Sequence, residues 1–163
     1  KEAYDTSGIV TNDRGVTVWL KGNRVSRNQI MAIKEESVTE QKNSLAVCLD
    51  NILRHAGITR NTEYDLAQGK TATTILSENM TGVQVLDLSG CTLDAVLYYV
   101  NQDIPVLAIL EDGEAVLVTG FNEFNVVIME PATGKLYKKG MNDATAWFAE
   151  NGNHFITYMR IEN

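Results

Sequence analysis

The chain has 163 residues, of which 44% are hydrophobic, and a formal charge of -7. That length and apolar content fit a single domain whose core is large enough to fold unaided. The negative charge argues against non-specific binding to nucleic acid or anionic lipid, because basic patches supply most of the affinity for both. The short basic clusters, at 21–27 and 135–139, have the pattern of solvated surface charge.

No apolar run reaches the roughly 18 residues that a membrane-spanning helix needs, and no signal peptide is recognisable. The chain begins with Lys1, so we expect an excised domain or a processed product of a larger protein. Its two cysteines, Cys48 and Cys91, do not form a disulfide framework, and a bridge between them has no sequence support. Cys48 is predicted to be a buried free thiol.

The first part of the chain has the pattern of β-strands. Two apolar runs, Ile9 to Asn12 and Val16 to Leu20, flank the turn-forming residues 13–15. A third short run, Ile30 to Ile33, precedes a polar linker that extends to Asn43. We therefore predict a β-rich N-terminal extension at residues 1–34 and the main domain at residues 35–163.

The clearest helix is predicted from Ser44 to Ala56. Its apolar residues recur at the spacing of one buried helical face, Asn43 or Ser44 can cap its start, and Gly57 ends it. Further helices are predicted near 62–68 and 71–79, after Thr92, and near 142–150, where Trp147 and Phe148 are expected to be buried. Strands are predicted at 83–88, 106–110, 115–121, 126–129, 135–138 and 155–161.

This order predicts an α+β fold, with helices packed against an antiparallel sheet. It also resembles the papain-like, bacteriocin-processing peptidases that cleave double-glycine leaders. Segment 44–57 (SLAVCLDNILRHAG) is similar to the active-site helix of that family, which a cysteine opens. Three later segments, in the family's order, are similar to its G-x-P-V-I strand, its G-H-F-V-V-V-x-G-Y strand and its D-P-x-x-G turn: 103–109 (DIPVLAI), 113–121 (GEAVLVTGF) and 127–134 (VIMEPATG).

The resemblance implies a thiolate nucleophile, a histidine base and an aspartate that orients the base. In this chain Ser44 stands at the nucleophile position, Glu114 at the histidine position and Glu130 at the aspartate position. Gln41 stands in for the glutamine of the oxyanion hole, although it lies closer to the nucleophile position than is usual. No catalytic residue is therefore predicted to be intact, and these four residues are predicted to line a remnant binding groove.

Other uses of these residues have less support from the sequence. Ser44 as a nucleophile needs a base, and a carboxylate serves poorly unless burial raises its pKa. Cys48 and His55 would lie about 10 Å apart along one helix. Both His55 and His154 are expected to be satisfied or exposed structural histidines. The acids Glu114 and Glu130 lack the supporting residues of a glycosidase or metal site.

The leading hypothesis is a catalytically inactive peptidase-like domain that binds a peptide or a partner protein. One alternative is an active peptidase or amidase with Ser44 or Cys48 as an unusual nucleophile. Another is a structural or assembly domain of a bacterial envelope protein, with Gln29 to Ile33 as an exposed strand edge. No cofactor, metal or nucleic acid is predicted, and the resemblance implies a bacterial, extracytoplasmic or surface-associated location.

Overall fold

The computed structural model describes the backbone of residues 9–11 and 17–19 and the whole of residues 43–161. The two N-terminal segments are strands β1 (Ile9–Thr11) and β2 (Thr17–Trp19), which pair antiparallel with Ile9 opposite Trp19. The two strands predicted there are thus confirmed. The predictions at 30–33, at Gln41 and in most of the linker before Asn43 lie outside the described residues.

From residue 43 onward the structure has the predicted elements, with small shifts at their ends. The helices are α1 (Ser44–His55), α2 (Glu63–Ala67), α3 (Ala72–Asn79), α4 (Leu93–Val100) and α5 (Met141–Glu150). The strands are β3 (Val83–Asp87), β4 (Val106–Ile109), β5 (Ala115–Phe121), β6 (Asn125–Glu130), β7 (Lys135–Gly140) and β8 (His154–Arg160).

Six strands form one antiparallel sheet in the order β3-β8-β4-β5-β6-β7. All seven residues of β5 are buried, which requires cover on both faces of this strand. Helix α1 packs on β5 and β4, while α4 packs on β5, β4 and β8. The predicted α+β architecture is confirmed, and α1 lies directly against the central strands.

Helix α1 forms where local and tertiary requirements agree. The Asn43 side chain accepts hydrogen bonds from the N–H groups of Leu45 and Ala46 and so caps the first turn. The inner stripe of the helix, which includes Leu49 and Leu53, is buried in the core. Burying each such side chain contributes roughly 1.5–3 kcal/mol, so tertiary contact fixes the helix in place.

In α5 the predicted burial is confirmed for Phe148 but not for Trp147. Phe148 is buried, with its ring centroid 5.3 Å from that of Phe155. Trp147 is only half-buried: its indole packs against the core beside Phe148, and the Lys139 ammonium of strand β7 lies 4.8 Å from the ring centroid. A cation over an indole face is favourable at an exposed position, so the ring has no need of full burial.

Candidate functional site

The first residue of α1 is tied to the first residue of β5. The Ser44 hydroxyl oxygen accepts a hydrogen bond of 2.9 Å from the backbone N–H of Ala115. Ser44 is half-buried and Ala115 is buried. Since 71 residues separate the two in sequence, this contact fixes the N-terminus of α1 against the start of the central strand.

Glu114 precedes Ala115 in the chain. Hydrogen bonds fix its backbone, whereas its side chain is exposed to solvent. Its N–H donates to the Asp112 carboxylate over 2.9 Å, and its carbonyl accepts from the Leu110 N–H over 2.7 Å. Gly113 adopts a φ of 89°, a left-handed conformation that favours glycine. This short turn between β4 and β5 therefore sets the backbone of Glu114 firmly and leaves its carboxylate in solvent.

Glu130 ends strand β6 and is half-buried. Its carboxylate accepts a hydrogen bond of 2.8 Å from the Thr133 hydroxyl in the following turn. Because Met129 pairs with Leu117, Glu130 lies near the end of the sheet at which β5 begins. Within the described part of the chain, no hydrogen bond joins the Glu130 side chain to Ser44 or Glu114.

The predicted site residues therefore have different outcomes. The structure brings Ser44 into contact with the residue that follows Glu114, and it places Glu130 at the same end of the sheet. Gln41 lies outside the described residues. The functional roles of all four stay predictions, since their positions alone do not test binding.

Neither histidine forms a hydrogen bond with Ser44 in the described structure. The sequence contains two, and His55 lies at the opposite end of α1, about 16 Å from Ser44 by the helical rise per residue. Its Nε2 atom is 3.1 Å from the Asp103 carbonyl oxygen and 3.5 Å from the Asp103 carboxylate. The structural role expected for His55 fits these contacts.

His154 opens strand β8, two strands away from Ala115. Ile109 of β4 is the register partner of both residues. Two strand spacings place their Cα atoms about 10 Å apart. Within the described residues, neither His154 nor His55 forms a hydrogen bond with Ser44.

The thiol at Cys48 lies one turn inside α1 and is fully buried, as predicted. Burial raises the pKa of this thiol far above its ordinary value, because the thiolate would lose its hydration. Cys91 is half-buried, and the two cysteines are not joined. The reactive form of Cys48 is thus strongly disfavoured in the folded state.

The arrangement offers hydrogen bonds and negative charge. The Ser44 oxygen accepts from Ala115, and no hydrogen bond from its O–H is made to another described residue. Glu114 presents an exposed acceptor. The described residues include no group of three or more His, Cys, Asp or Glu side chains placed to hold a metal ion. They also include no helix long and apolar enough to cross a membrane.

Sequence reasoning missed the partner of Ser44. A backbone N–H carries no signature in residue type, so the sequence gives no sign that Ala115 would donate to this hydroxyl. The turn that positions Glu114 did have a signal, since Asp112 and Gly113 are typical turn residues.

One solved structure has the same fold. The crystal structure of a candidate C39-like peptidase from Bacillus anthracis matches with a TM-score of 0.68 at 13% sequence identity. The match covers 82% of this chain and 98% of that chain. At this identity the likeness shows the fold alone, which is the predicted α+β arrangement of helices packed against an antiparallel sheet. No family model matches the sequence, and no curated protein does so.

Proposed function

We propose that this papain-like fold serves binding in place of catalysis. In the proposal, an extended peptide or a segment of a partner protein binds to the surface formed by Gln41, Ser44, Glu114 and Glu130, hereafter the remnant groove. The observation that carries the proposal is the start of α1. There the Ser44 oxygen accepts a hydrogen bond from the backbone of Ala115, and the preceding residue in the chain is the exposed Glu114. The resemblance implies a thiol and an imidazole at the positions of Ser44 and Glu114.

The chemistry of this pair argues against peptide hydrolysis. A serine hydroxyl becomes a nucleophile only when a neighbouring base takes its proton. Glu114 is exposed, and no hydrogen bond within the described residues joins its carboxylate to the Ser44 hydroxyl. Expulsion of an amine also needs a proton donor, the role that imidazolium performs in the family's mechanism.

Charge indicates which peptides the remnant groove would prefer. Glu114 and Glu130 add acidic groups to a chain whose formal charge is already -7. Complementary charge steers association and disfavours like-charged partners. We therefore expect neutral or basic extended peptides to bind in preference to acidic ones. A bacterial, extracytoplasmic location remains part of the proposal, as an implication of the family resemblance.

The test begins with a displayed library of random extended peptides selected on the immobilised chain. Dissociation constants of the selected peptides are then measured by fluorescence anisotropy for the natural chain and for Glu114→Lys. Because an exposed ion pair is worth up to about 1 kcal/mol, we expect basic peptides to bind about three- to tenfold more weakly to the variant.

Glu123→Lys is the matched control, since it makes the same charge change at an exposed residue beyond the far end of β5. It should leave the affinities close to those of the natural chain. Equal losses in the two variants would reduce the effect to net charge and contradict the remnant groove. Selection of no peptide, or unchanged affinity in Glu114→Lys, would also contradict it.

A further inference from the structure

The two edge strands of the six-stranded sheet differ in composition. Strand β7 carries Lys135, Lys138 and Lys139. Lysine on an edge strand discourages pairing with other chains, because its charge would have to be desolvated. Strand β3, with the sequence VQVLD, has neither lysine nor proline. The β3 edge therefore lacks this protection.

Within residues 43–161, the outer edge of β3 presents unpaired backbone groups. The N–H of Leu88 donates to the Phe155 carbonyl over 2.8 Å, and the N–H of Ile161 donates to the Gly82 carbonyl over 2.9 Å. Since backbone groups alternate in direction along a strand, the even-numbered residues of β3 face β8. Val83, Val85 and Asp87 then point their N–H and C=O groups outward, and no residue within 43–161 pairs with them.

We propose that this edge pairs with the β3 edge of a second copy of the chain, antiparallel and centred on Val85. In that register Val85 lies opposite its own equivalent, and Val83 lies opposite Asp87 of the second copy. Every outward-facing residue then meets an outward-facing residue, so all their N–H and C=O groups can be satisfied. One two-fold axis relates the two copies, as in most dimers of identical chains.

Charge favours a second copy as the occupant. Within one chain Val83 is the register partner of Arg160 on β8, so the two side chains share a face of the sheet. In the proposed dimer Asp87 of the second copy joins this row on the other side of Val83. Asp87 and Arg160 are both exposed. In the single chain Arg160 Nη1 donates to the Gln102 carbonyl over 3.1 Å, and Asp87 accepts from the Ser89 N–H over 3.0 Å. In the proposed dimer the Arg160 side chain turns from Gln102 and reaches over one strand to Asp87 of the second copy. The two-fold axis generates this complementary pair twice.

On the other face of the sheet, apolar contact would also stabilise the dimer. Met159 of β8 is the register partner of Gln84 and is 39% exposed. Leu86 of the second copy would lie opposite Gln84 and bring an aliphatic side chain into the same row. The dimer would thus cover apolar surface that the single chain leaves in water.

Amide hydrogen exchange, measured by NMR between about 20 μM and 1 mM, tests the pairing directly. Protection of the Val83, Val85 and Asp87 amides should rise with protein concentration, in step with the mass from sedimentation equilibrium. The Gln84 and Leu86 amides already face β8 and serve as internal controls that stay protected throughout. If the Val83, Val85 and Asp87 amides were still unprotected from exchange at 1 mM, the proposal would be overturned. Protection independent of concentration would assign the edge to a segment of the same chain and would overturn it equally.

A charge exchange tests the register. Asp87→Arg should raise the dimer dissociation constant about tenfold or more, because it places like charges in two symmetric rows. The double variant Asp87→Arg with Arg160→Asp should restore most of the affinity, whereas Glu123→Lys should leave it unchanged. Circular dichroism verifies that each variant is folded. Failure of the double variant to recover affinity would contradict the proposed register.

Discussion

The two ends of helix α1 contrast in their chemical groups. At its start, Ser44 accepts a hydrogen bond from Ala115 beside the exposed Glu114. At its end, His55 lies against Asp103. Cys48 is one turn inside the helix and faces the core. The chain thus contains a thiol and an imidazole, but neither lies at the start of α1, which is the position that the family resemblance assigns to the nucleophile.

This contrast shows that the interior of a helix and its first residue meet different structural requirements. The interior of α1 must fill the core against β5 and β4, which constrains size and polarity at each buried position. Its first residue must only begin the helix and contact the next strand, and serine satisfies both requirements. In the proposed account, the loss of catalysis therefore left packing unchanged.

The largest expected effect concerns the two thiols. A thiol-reactive chromogenic reagent should modify Cys91 at least about a hundredfold faster than Cys48, because burial disfavours the Cys48 thiolate and reaction there requires opening of the core. Mass spectrometry of the timed products measures both rates. In denaturant the two rates should converge. Rapid labelling of Cys48 in the folded chain would mean that the helix presents this thiol after all.

The next effect is on stability. Leu49→Ala removes a fully buried side chain from the interior of α1, and we expect a loss of about 2–5 kcal/mol in the free energy of unfolding. Urea denaturation followed by circular dichroism measures it. Leu45→Ala, at a partly buried residue one turn earlier, is the control and should cost clearly less. Similar losses at both positions would contradict the described burial of the helix.

A smaller effect is expected at the start of the helix. Ser44→Ala leaves the Ala115 N–H without its partner, which should lower the free energy of unfolding by about 1–2 kcal/mol. Ser44→Thr retains a hydroxyl and should lose less. If Ser44→Ala were as stable as the natural chain, the hydrogen bond between α1 and β5 would contribute nothing to the fold.

The smallest expected effect depends on pH. Hydrogen bonds from the Arg60 guanidinium hold the pKa of the Asp65 carboxyl below its ordinary value. The unfolded chain therefore takes up a proton at Asp65 before the folded chain does, so this stabilisation is complete at neutral pH and is lost as the pH falls through the folded pKa. The melting temperature should fall less between pH 7 and pH 3 for Arg60→Gln than for the natural chain. Parallel curves for the two proteins would contradict the pairing.

Much of the fold was predictable because its signals are local. The apolar spacing of α1, the caps at Asn43 and Thr92 and the turn at Asp112 and Gly113 each depend on residues close in sequence. The order of strands in the sheet did not follow from such signals. Strand β8 lies between β3 and β4, and only packing of the complete chain decides that placement.

The candidate site was predictable only in part, for a related reason. The family resemblance gave Ser44, Glu114 and Glu130 as positions, and the structure places them at one end of the sheet. The hydrogen bond from the Ala115 backbone to Ser44 depends on how closely α1 approaches β5. Side-chain identity does not encode that distance.

The most direct test of the central claim is a peptidase assay of the purified chain on a peptide library, with mass spectrometry after exposure to a fluorophosphonate probe. The account predicts no adduct at Ser44 and no cleavage above that of Ser44→Ala. Cleavage that disappears in Ser44→Ala or Cys48→Ala, or stoichiometric labelling of Ser44, would contradict it.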